Sequence, residues 1–412
     1  MINPLRGMKD LTFEESRRFT HIIDTATAIA GKYGYRYIET PILEETALFK
    51  RSVGESSDIV GKEMYQFEDK GGNDVCMRPE GTAGVVRAFI SSKLDRQPAK
   101  QKFYYHGPMF RYERPQRGRL REFHQFGCES FGEASVYEDF TIIIMVSQIF
   151  EALGIGFDLL INSLGCPECM PRYRENLVNF LGTIEEELCS DCTRRIGTNP
   201  IRVLDCKNEK CQSMLASSPK LIENLCESCD SDFRQLTHLL DRAGITYTID
   251  TNLVRGLDYY SKTAFEFVSN EIGSQSAIAG GGRYDRLVEF LDGKPTPAVG
   301  FAIGIERIME LVQMPEMPRE GYYMGAMVPE AVEQLVMLAN TQRKCDKVTV
   351  EYMSKGFKSH LKGVDKAHAR YALLIGEDEL KNGTVWLKDM ESKEEKTLPL
   401  DTFSAATLSD RG

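Results

Sequence analysis

The sequence predicts an α+β fold: a mostly antiparallel sheet flanked by helices, a helical insertion at about 163–248, and a smaller C-terminal α/β domain. Three observations predict it. Two strand candidates, at 103–110 and 123–130, are joined by a short basic connection, and strand character returns at 263–268 and 276–278. Between these regions, from about residue 162 to 248, helical patches and most of the cysteines replace the strands. Beyond Pro315-Glu316-Met317-Pro318, strands alternate with helices, the pattern of a small parallel or mixed domain. The expected domains are therefore 1–318, containing the insertion, and 319–412.

Composition agrees with a folded, multidomain chain. Its 412 residues exceed one ordinary core, and 42% hydrophobic with 27% charged residues is usual for globular proteins. A net charge of -10 argues against coating nucleic acid by global attraction, although a local basic surface is compatible with it. MINPLRGMKDLTFEES has no apolar segment after a basic one, and runs such as Ile142 to Val146 are far short of a membrane span. A cytoplasmic location is expected. Eleven cysteines on such a chain read as thiols or metal ligands before disulfides.

In order along the chain, Thr12 and Glu15 have capping-box spacing before an amphipathic helix that runs from Phe13 to Tyr33, with Gly31 and Gly34 ending it. Tyr35-Arg36-Tyr37-Ile38-Glu39-Thr40 is strand-like and Pro41 limits its pairing. Lys70-Gly71-Gly72-Asn73 turns a hairpin between 64–67 and 74–77, and 82–94 reads as a helix. Residues 137–153 form an apolar helix. In the last domain the order is strand 322–328, helix 332–345, strand 348–352, helix 357–368 and strand 371–375.

The connection FRYERPQRGRLREF, from Phe110 to Phe123, carries Arg111, Arg114, Arg117, Arg119 and Arg121 against Glu113 and Glu122. Guanidinium groups offer a fixed fork of donors for triphosphate oxygens, whereas the plainer reading is a solvated loop. Arg111 and Glu113, two positions apart at a strand end, share a face, where a cation and an acceptor can grip a phosphate and an adenine amino group. Gly280-Gly281-Gly282 lacks the spacing and lysine of a phosphate loop, and a strand floor under a small ligand explains it better.

Phe110-Arg111-Tyr112-Glu113 with Arg121 and Phe123 resembles motif 2 of the class II aminoacyl-tRNA synthetases. Val299-Gly300-Phe301-Ala302-Ile303-Gly304-Ile305-Glu306-Arg307 resembles motif 3, and the first helix with Tyr37-Ile38-Glu39-Thr40-Pro41 resembles motif 1. Leu253-Val254-Arg255-Gly256-Leu257-Asp258-Tyr259-Tyr260 and Ala279-Gly280-Gly281-Gly282-Arg283-Tyr284-Asp285 are similar to the specific motifs of the histidyl-tRNA synthetase family. Arg78-Pro79-Glu80-Gly81-Thr82, Asn199-Pro200 and the C-terminal domain also fit, so the resemblance covers nearly the whole chain.

The resemblance implies a class II synthetase-like core that activates L-histidine with ATP and magnesium, giving histidyl-adenylate and pyrophosphate, and then charges tRNA(His). It implies that Arg111 and Arg255 meet the α-phosphate or the substrate carboxylate and that Arg307 holds the γ-phosphate. Glu113 would contact adenine, Phe123 would stack on it, and Arg121 would meet the phosphates. For histidine, Glu80, Gly81, Thr82 and Gln125 surround the α-amino group, Glu129 and Tyr260 hold the two ring nitrogens, and Tyr259 and Tyr284 line the pocket. A rival reading is a non-catalytic paralog that regulates ATP phosphoribosyltransferase in histidine biosynthesis; the presence of Arg111, Arg255, Arg307 and a C-terminal domain opposes it.

Lys358, Lys362, Lys366 and Arg370 recur every four residues behind Lys355, a basic stripe if the segment is helical. A solvated face is the plain reading; the resemblance to an anticodon-binding domain implies a surface for tRNA. Motif 1 and the apolar face of the first helix imply a homodimer. Nineteen residues separate the pair Cys166 and Cys169 from the pair Cys189 and Cys192, a zinc-ribbon spacing, and Cys226 and Cys229 add a third pair, with Cys206 and Cys211 between. A single helix over 172–188 would hold the first two pairs about 25 Å apart, unless it breaks near Gly182. Pairing Cys189 and Cys192 with Cys226 and Cys229 is the other option for a structural zinc ion, and ordinary thiols are the third.

Overall fold

The computed structural model describes residues 2–54, 57–204, 206, 208–254, 257, 259–272 and 277–400. Arg255, Gly256 and Asp258 of the quoted histidine-specific string lie outside the described residues. The chain divides into two units, Met1–Met314 and Pro315–Gly412, so the division falls at the start of the proline-flanked stretch.

The first unit begins with α1 (Phe13–Lys32), β1 (Arg36–Tyr37), β2 (Leu43–Glu45), α2 (Thr46–Val53), β3 (Gln66–Glu68) and β4 (Asp74–Met77). It continues with α3 (Thr82–Ser91), β5 (Gln101–Phe110), β6 (Glu122–Phe131), α4 (Val136–Ala152) and β7 (Asp158–Ser163). The insertion holds α5 (Met170–Gly182), α6 (Ser190–Thr198), α7 (Glu209–Leu215) and α8 (Glu227–Arg242). The chain then returns through β8 (Tyr247–Ile249), β9 (Ser261–Val268), β10 (Ala277–Arg283), α9 (Leu287–Phe290), β11 (Ala298–Gly304) and α10 (Ile305–Met309).

Eight strands form one sheet in the order β1-β5-β6-β11-β10-β9-β7-β8. Only its outermost pairs, β1 with β5 and β7 with β8, are parallel; every inner pair is antiparallel. The expected antiparallel core is therefore present. It is wider than the sequence reading, which had no strand at 158–163, where β7 starts the path into the insertion. The hairpin of β3 and β4 also forms, and β2 joins it as a separate three-stranded sheet.

One face of the large sheet packs α1, α4 and α10 around Phe126, Phe265, Phe267 and Phe301. Ile22, Ile23, Ala26, Ile29 and Ala30 of α1 are buried there, so its apolar stripe is consumed within the unit. That corrects the use of this stripe as an argument for dimerisation. The expected capping box at its start is also replaced: Thr12 makes no side-chain cap, and Glu15 Oε1 accepts from Lys9 Nζ at 2.7 Å. On the other face Val85, Val86 and Phe89 of α3 pack with Phe103, Tyr105 and Phe131, and Phe89 stacks on Phe131 at 4.4 Å. A buried ion pair ties α4 to β10: the Arg283 guanidinium, 1% exposed, bonds both oxygens of Asp139 and the carbonyls of Glu133 and Ser135.

The second unit contains β12 (Tyr322–Ala326), α11 (Val332–Gln342), β13 (Val348–Glu351), α12 (Phe357–Ala367), β14 (Tyr371–Ile375), α13 (Glu377–Asn382), β15 (Thr384–Asp389) and β16 (Glu395–Pro399). Its sheet runs β13-β12-β14-β15-β16, parallel over the first three strands and antiparallel over the last two. The mixed alternative was thus the right one, with β15 and β16 as additions the sequence reading lacked.

Candidate active site

The site is built on the sheet face that carries α3. Alternation along β6 points Phe123, Gln125, Gly127 and Glu129 to this face, while Phe126 and Cys128 enter the opposite core. Strand register extends the pattern sideways. Tyr105, Gly127, Ala302, Gly280 and Glu266 are successive neighbours across β5, β6, β11, β10 and β9. The Tyr105 ring covers Gly127, and the next two small residues, Ala302 and Gly280, leave a trough that runs to Glu266. A cavity of about 190 Å³ opens over it, and Gly280 and Ala302 are in its floor. Of the glycine string only Gly280 lies in this floor; a side chain on Gly281 would meet the Gly300 carbonyl and the Phe265 ring of the opposite core.

At the nucleotide-like end, Arg111, Glu113, Phe123 and Arg307 all line the cavity. Arg111 Nε donates to the Pro79 carbonyl at 2.9 Å, and its guanidinium lies 5.2 Å from the Phe123 ring centre. Strand β5 ends at Phe110, so pleat alternation is not what orients Arg111 and Glu113. Glu113 is held instead by an ion pair with Arg119, which lines the cavity as well. Arg307 donates from Nε to the Gly118 carbonyl at 3.1 Å and from Nη1 to the Ala277 carbonyl at 2.5 Å, bridging the basic connection and β10. Arg121 departs from its expected position: its guanidinium lies 3.7 Å from the Tyr112 ring centre, its Nε donates to the Glu113 carbonyl, and it is not among the cavity-lining residues.

At the other end stand Glu80, Thr82, Gln125, Tyr259 and Tyr260. Glu80 accepts the backbone N–H groups of Thr82 at 2.7 Å and Ala83 at 2.9 Å, so it caps α3 while facing the cavity. Burial raises its pKa, against those bonds and the nearby charge of Arg111. Gln125 Oε1 accepts from the Gly81 N–H at 3.2 Å. A side chain on Gly81 would enter the Tyr105 ring, which explains the bare position.

Glu129 and Tyr284 lie behind this wall rather than in it. The Glu129 carboxyl, 0% exposed, accepts from Thr82 Oγ1 at 2.7 Å, from Tyr105 Oη at 3.2 Å, and from Tyr284 Oη. Burial pushes its pKa up from 4.5 to about 8, helped by the neighbouring Glu80 and opposed by the three hydroxyls. Gly300, its partner across β11, leaves the space it occupies; a Cβ there would come within 1.8 Å of Glu129 Oε2. Tyr259 and Tyr284 meet edge to face at 5.6 Å. The Tyr259 hydroxyl is buried beside the Thr82 side chain and makes no hydrogen bond of ordinary geometry among the described residues.

Sequence reasoning missed Arg119, Glu266 and Glu306 as cavity residues. Glu306 was inside the motif 3 string, and here it also accepts from the His124 N–H at 2.8 Å and pairs with His124 Nδ1 at 2.7 Å. Only the strand register could have revealed Glu266.

In the second unit Lys358, Lys362 and Lys366 are exposed along α12. Arg370 does not continue the stripe. The helix ends at Ala367, His368 turns left-handed at φ 51°, and Arg370 pairs with Asp389 at 3.5 Å and Glu391 at 3.6 Å. The cysteines also group differently from either sequence option. Cys166 and Cys169 meet Cys226 and Cys229, while Cys189 and Cys192 meet Cys206 and Cys211. The helix does break at Gly182, yet the break leads Cys189 to this second group.

Comparison with known proteins gives one family. Residues 7–171 and 203–308 match the family model described as histidyl-tRNA synthetase, and residues 324–409 match one described as an anticodon binding domain. The chain is 83% identical to a histidine–tRNA ligase of a Sulfurovum species, over 97% of this chain and 99% of that one. It is 65% identical to a histidine–tRNA ligase of Sulfurimonas denitrificans, over 98% of this chain and 100% of the relative. A crystal structure of apo histidyl-tRNA synthetase from S. aureus superposes with a TM-score of 0.81 at 34% identity, covering 97% of this chain and 98% of that one.

Proposed function

The chain belongs to the histidyl-tRNA synthetase family and its reaction is the ATP-dependent joining of histidine to tRNA(His); from that premise we propose how its residues divide the work. A carboxylate oxygen of histidine attacks the α-phosphorus of ATP; the new O–P bond forms as the bond to the bridging oxygen breaks and pyrophosphate leaves. A ribose hydroxyl of the terminal tRNA adenosine then attacks the acyl carbon, and AMP departs.

Charge builds on the α-phosphoryl oxygens in the first step, and fixed guanidinium groups aimed there lower the barrier. Arg111 takes that role and Arg307 takes the terminal phosphate; Arg255 is assigned the link to the histidine carboxylate by its place in the sequence motif alone. Phe123 stacks on adenine, Glu113 accepts its amino group, and Arg121, outside the cavity, holds the connection through Tyr112 and the Glu113 carbonyl. Magnesium enters with ATP as part of the substrate, and the carboxylates of Glu266 and Glu306 in the same cavity suit its hydrated shell. A structural zinc ion in the insertion would take no part in these steps.

Histidine is read by groups that would stay unpaired around an apolar analogue. Glu80, Gly81, Thr82 and Gln125 receive the α-amino group, Tyr259 and Tyr260 face the ring, and Tyr284 steadies Glu129. An imidazolium N–H brought near Glu129 would lower the pKa of the buried carboxyl and favour its ionised form as the acceptor. The carrying observation is the convergence of Arg111, Arg307 and Glu113 with Glu80, Thr82 and Tyr259 in one cavity over the glycine floor. That convergence also weighs against a non-catalytic regulator, as does the matched C-terminal domain.

Lys358, Lys362 and Lys366 are proposed to meet tRNA phosphates, with Arg370 as a weaker contributor because of its acidic partners. A cytoplasmic homodimer fits the same reading. Tyr37, Ile42 and Leu43, exposed in and beside the motif 1 segment, supply an apolar patch for a second copy, and no described helix is long and apolar enough to cross a membrane. The direct test is pyrophosphate exchange with ATP, magnesium and each amino acid in turn. Exchange with histidine is expected, and its absence sinks the proposal.

A further inference from the structure

Eight cysteines of the insertion converge as two separate quartets: Cys166, Cys169, Cys226 and Cys229, and Cys189, Cys192, Cys206 and Cys211. Within each quartet all four Sγ atoms lie within 4.8 Å of one another. Separations among them include 3.8 Å for Cys166–Cys169, 3.7 Å for Cys166–Cys226 and 3.8 Å for Cys189–Cys206. A tetrahedral ion with metal–sulfur bonds of about 2.3 Å sets its sulfurs about 3.8 Å apart, the edge of the tetrahedron. A disulfide would close that gap to about 2.05 Å. We propose that each quartet is a tetrathiolate zinc site, so that the insertion carries two structural zinc ions.

Several independent features agree. Three of the four cysteine pairs have two-residue spacers, and the fourth, Cys206 with Cys211, straddles the start of α7. Backbone N–H groups already point at sulfur: Cys226 at Cys169 Sγ (3.1 Å), Cys189 at Cys211 Sγ (3.3 Å) and Asn208 at Cys206 Sγ (3.5 Å). The quartets are too tight for a polynuclear iron–sulfur cluster, which spreads its four cysteines around several metal atoms. Four sulfur donors without a histidine or an oxygen ligand suit zinc among the divalent ions.

The insertion also needs such staples. Its helices run from 7 to 16 residues, and its own core is small. Cys169, Cys192, Cys206, Cys211 and Cys229 occupy buried positions in that core where a larger body would use leucine. Four thiols brought to one point have no packing reason to be there; one ion bonding all four supplies it.

The two sites differ in what they hold. The first joins both ends of the insertion, because Cys166 follows β7 closely and Cys226 begins α8, which leads back to β8. Cys166 also borders a second cavity, of about 280 Å³, whose wall includes Tyr259 and Tyr260 of the active site. The second site is internal to the insertion, and Cys189 and Cys192 fall within residues 172–202, which the family model leaves unmatched. The first ion therefore clamps the stem behind the histidine pocket, and the second ion stabilises only the outer body.

Metal analysis of the full chain, purified without chelator, tests this independently of the aminoacylation reading. Two zinc ions per chain are expected. Fewer than two, or iron in their place, overturns the proposal. X-ray absorption at the zinc edge, which needs no variant, should show four sulfur neighbours at about 2.3 Å; nitrogen or oxygen neighbours overturn it. Cys229→Ser and Cys211→Ser should each retain one zinc. Of the two, only Cys229→Ser should raise the KM for histidine in pyrophosphate exchange, several-fold or more; equal effects from both, or none from Cys229→Ser, remove the stem role.

Discussion

Replacing Glu129 by glutamine should make the protein relatively more stable as the pH rises. The buried carboxyl has its pKa moved from 4.5 to about 8, so the folded state grips that proton more tightly than the unfolded chain does. The stability tied to it is complete below pH 4.5, drains away as the pH rises, and is fully lost once the folded carboxyl ionises at about 8. At about 1.4 kcal/mol per pH unit, the whole window is worth about 5 kcal/mol, and the part between pH 6 and pH 9 about 3 kcal/mol. Glutamine keeps the shape, can accept from Thr82 or Tyr284 through its carbonyl, and does not titrate. Thermal unfolding of the parent and Glu129→Gln, without histidine and at equal ionic strength, is the assay. Between pH 6 and pH 9 the difference in Tm should shift in favour of the variant by about 5 °C for a unit of this size. An unchanged difference, or a shift toward the parent, would mean that the carboxyl is already ionised in the fold at pH 6, and the reasoning fails.

Gly300→Ala puts a methyl group against Glu129 Oε2 and the Cys128 carbonyl, so the KM for histidine should rise about tenfold, the equivalent of about 1.4 kcal/mol, with the KM for ATP nearly unchanged. Steady-state pyrophosphate exchange decides it, and an unaltered histidine KM contradicts the placement of Glu129. Asp139→Asn strips the fully buried charge partner from Arg283, leaving Asp285 at 3.2 Å, and should cost about 3–5 kcal/mol in urea unfolding of the first unit; a loss below about 1 kcal/mol would show that Asp285 and the carbonyls of Glu133 and Ser135 suffice. Changing Lys358, Lys362 and Lys366 together to glutamine should weaken tRNA binding and flatten its salt dependence by about two units of log–log slope, leaving pyrophosphate exchange intact. An unaltered tRNA affinity would make the stripe a solvated face.

What could be read from the chain depended on the range of the interactions. Long strands such as β5 and β6 carry enough alternating residues to announce themselves, and the motif strings beside them gave most of the cavity. Others did not: β8 has three residues at a sheet edge, and β15 and β16 depend on pairing with β14 and with each other. The four-residue lysine period was correct for α12, but it says nothing about a left-handed stop at His368, which removed Arg370 from the row. Glu266 reached the site through cross-strand register, a relation between residues far apart in sequence. The cysteine spacing suggested a metal without identifying partners, because the turns around Gly182 and Asn208 decide which thiols meet.

Glu80 caps α3 with the same carboxylate that faces the cavity, and under the proposed binding of histidine there this bears on how freely the enzyme's specificity can evolve. At most positions in a binding pocket a new side chain alters only ligand preference. Here any replacement must still accept the N–H groups of Thr82 and Ala83, or the helix that carries Phe89 against Phe131 loses its first turn. Mutational drift toward another amino acid is thereby taxed in folding before it is tested in catalysis. Selection for a sound protein then guards the accuracy of the genetic code at this residue, even when substrate discrimination is not itself under scrutiny.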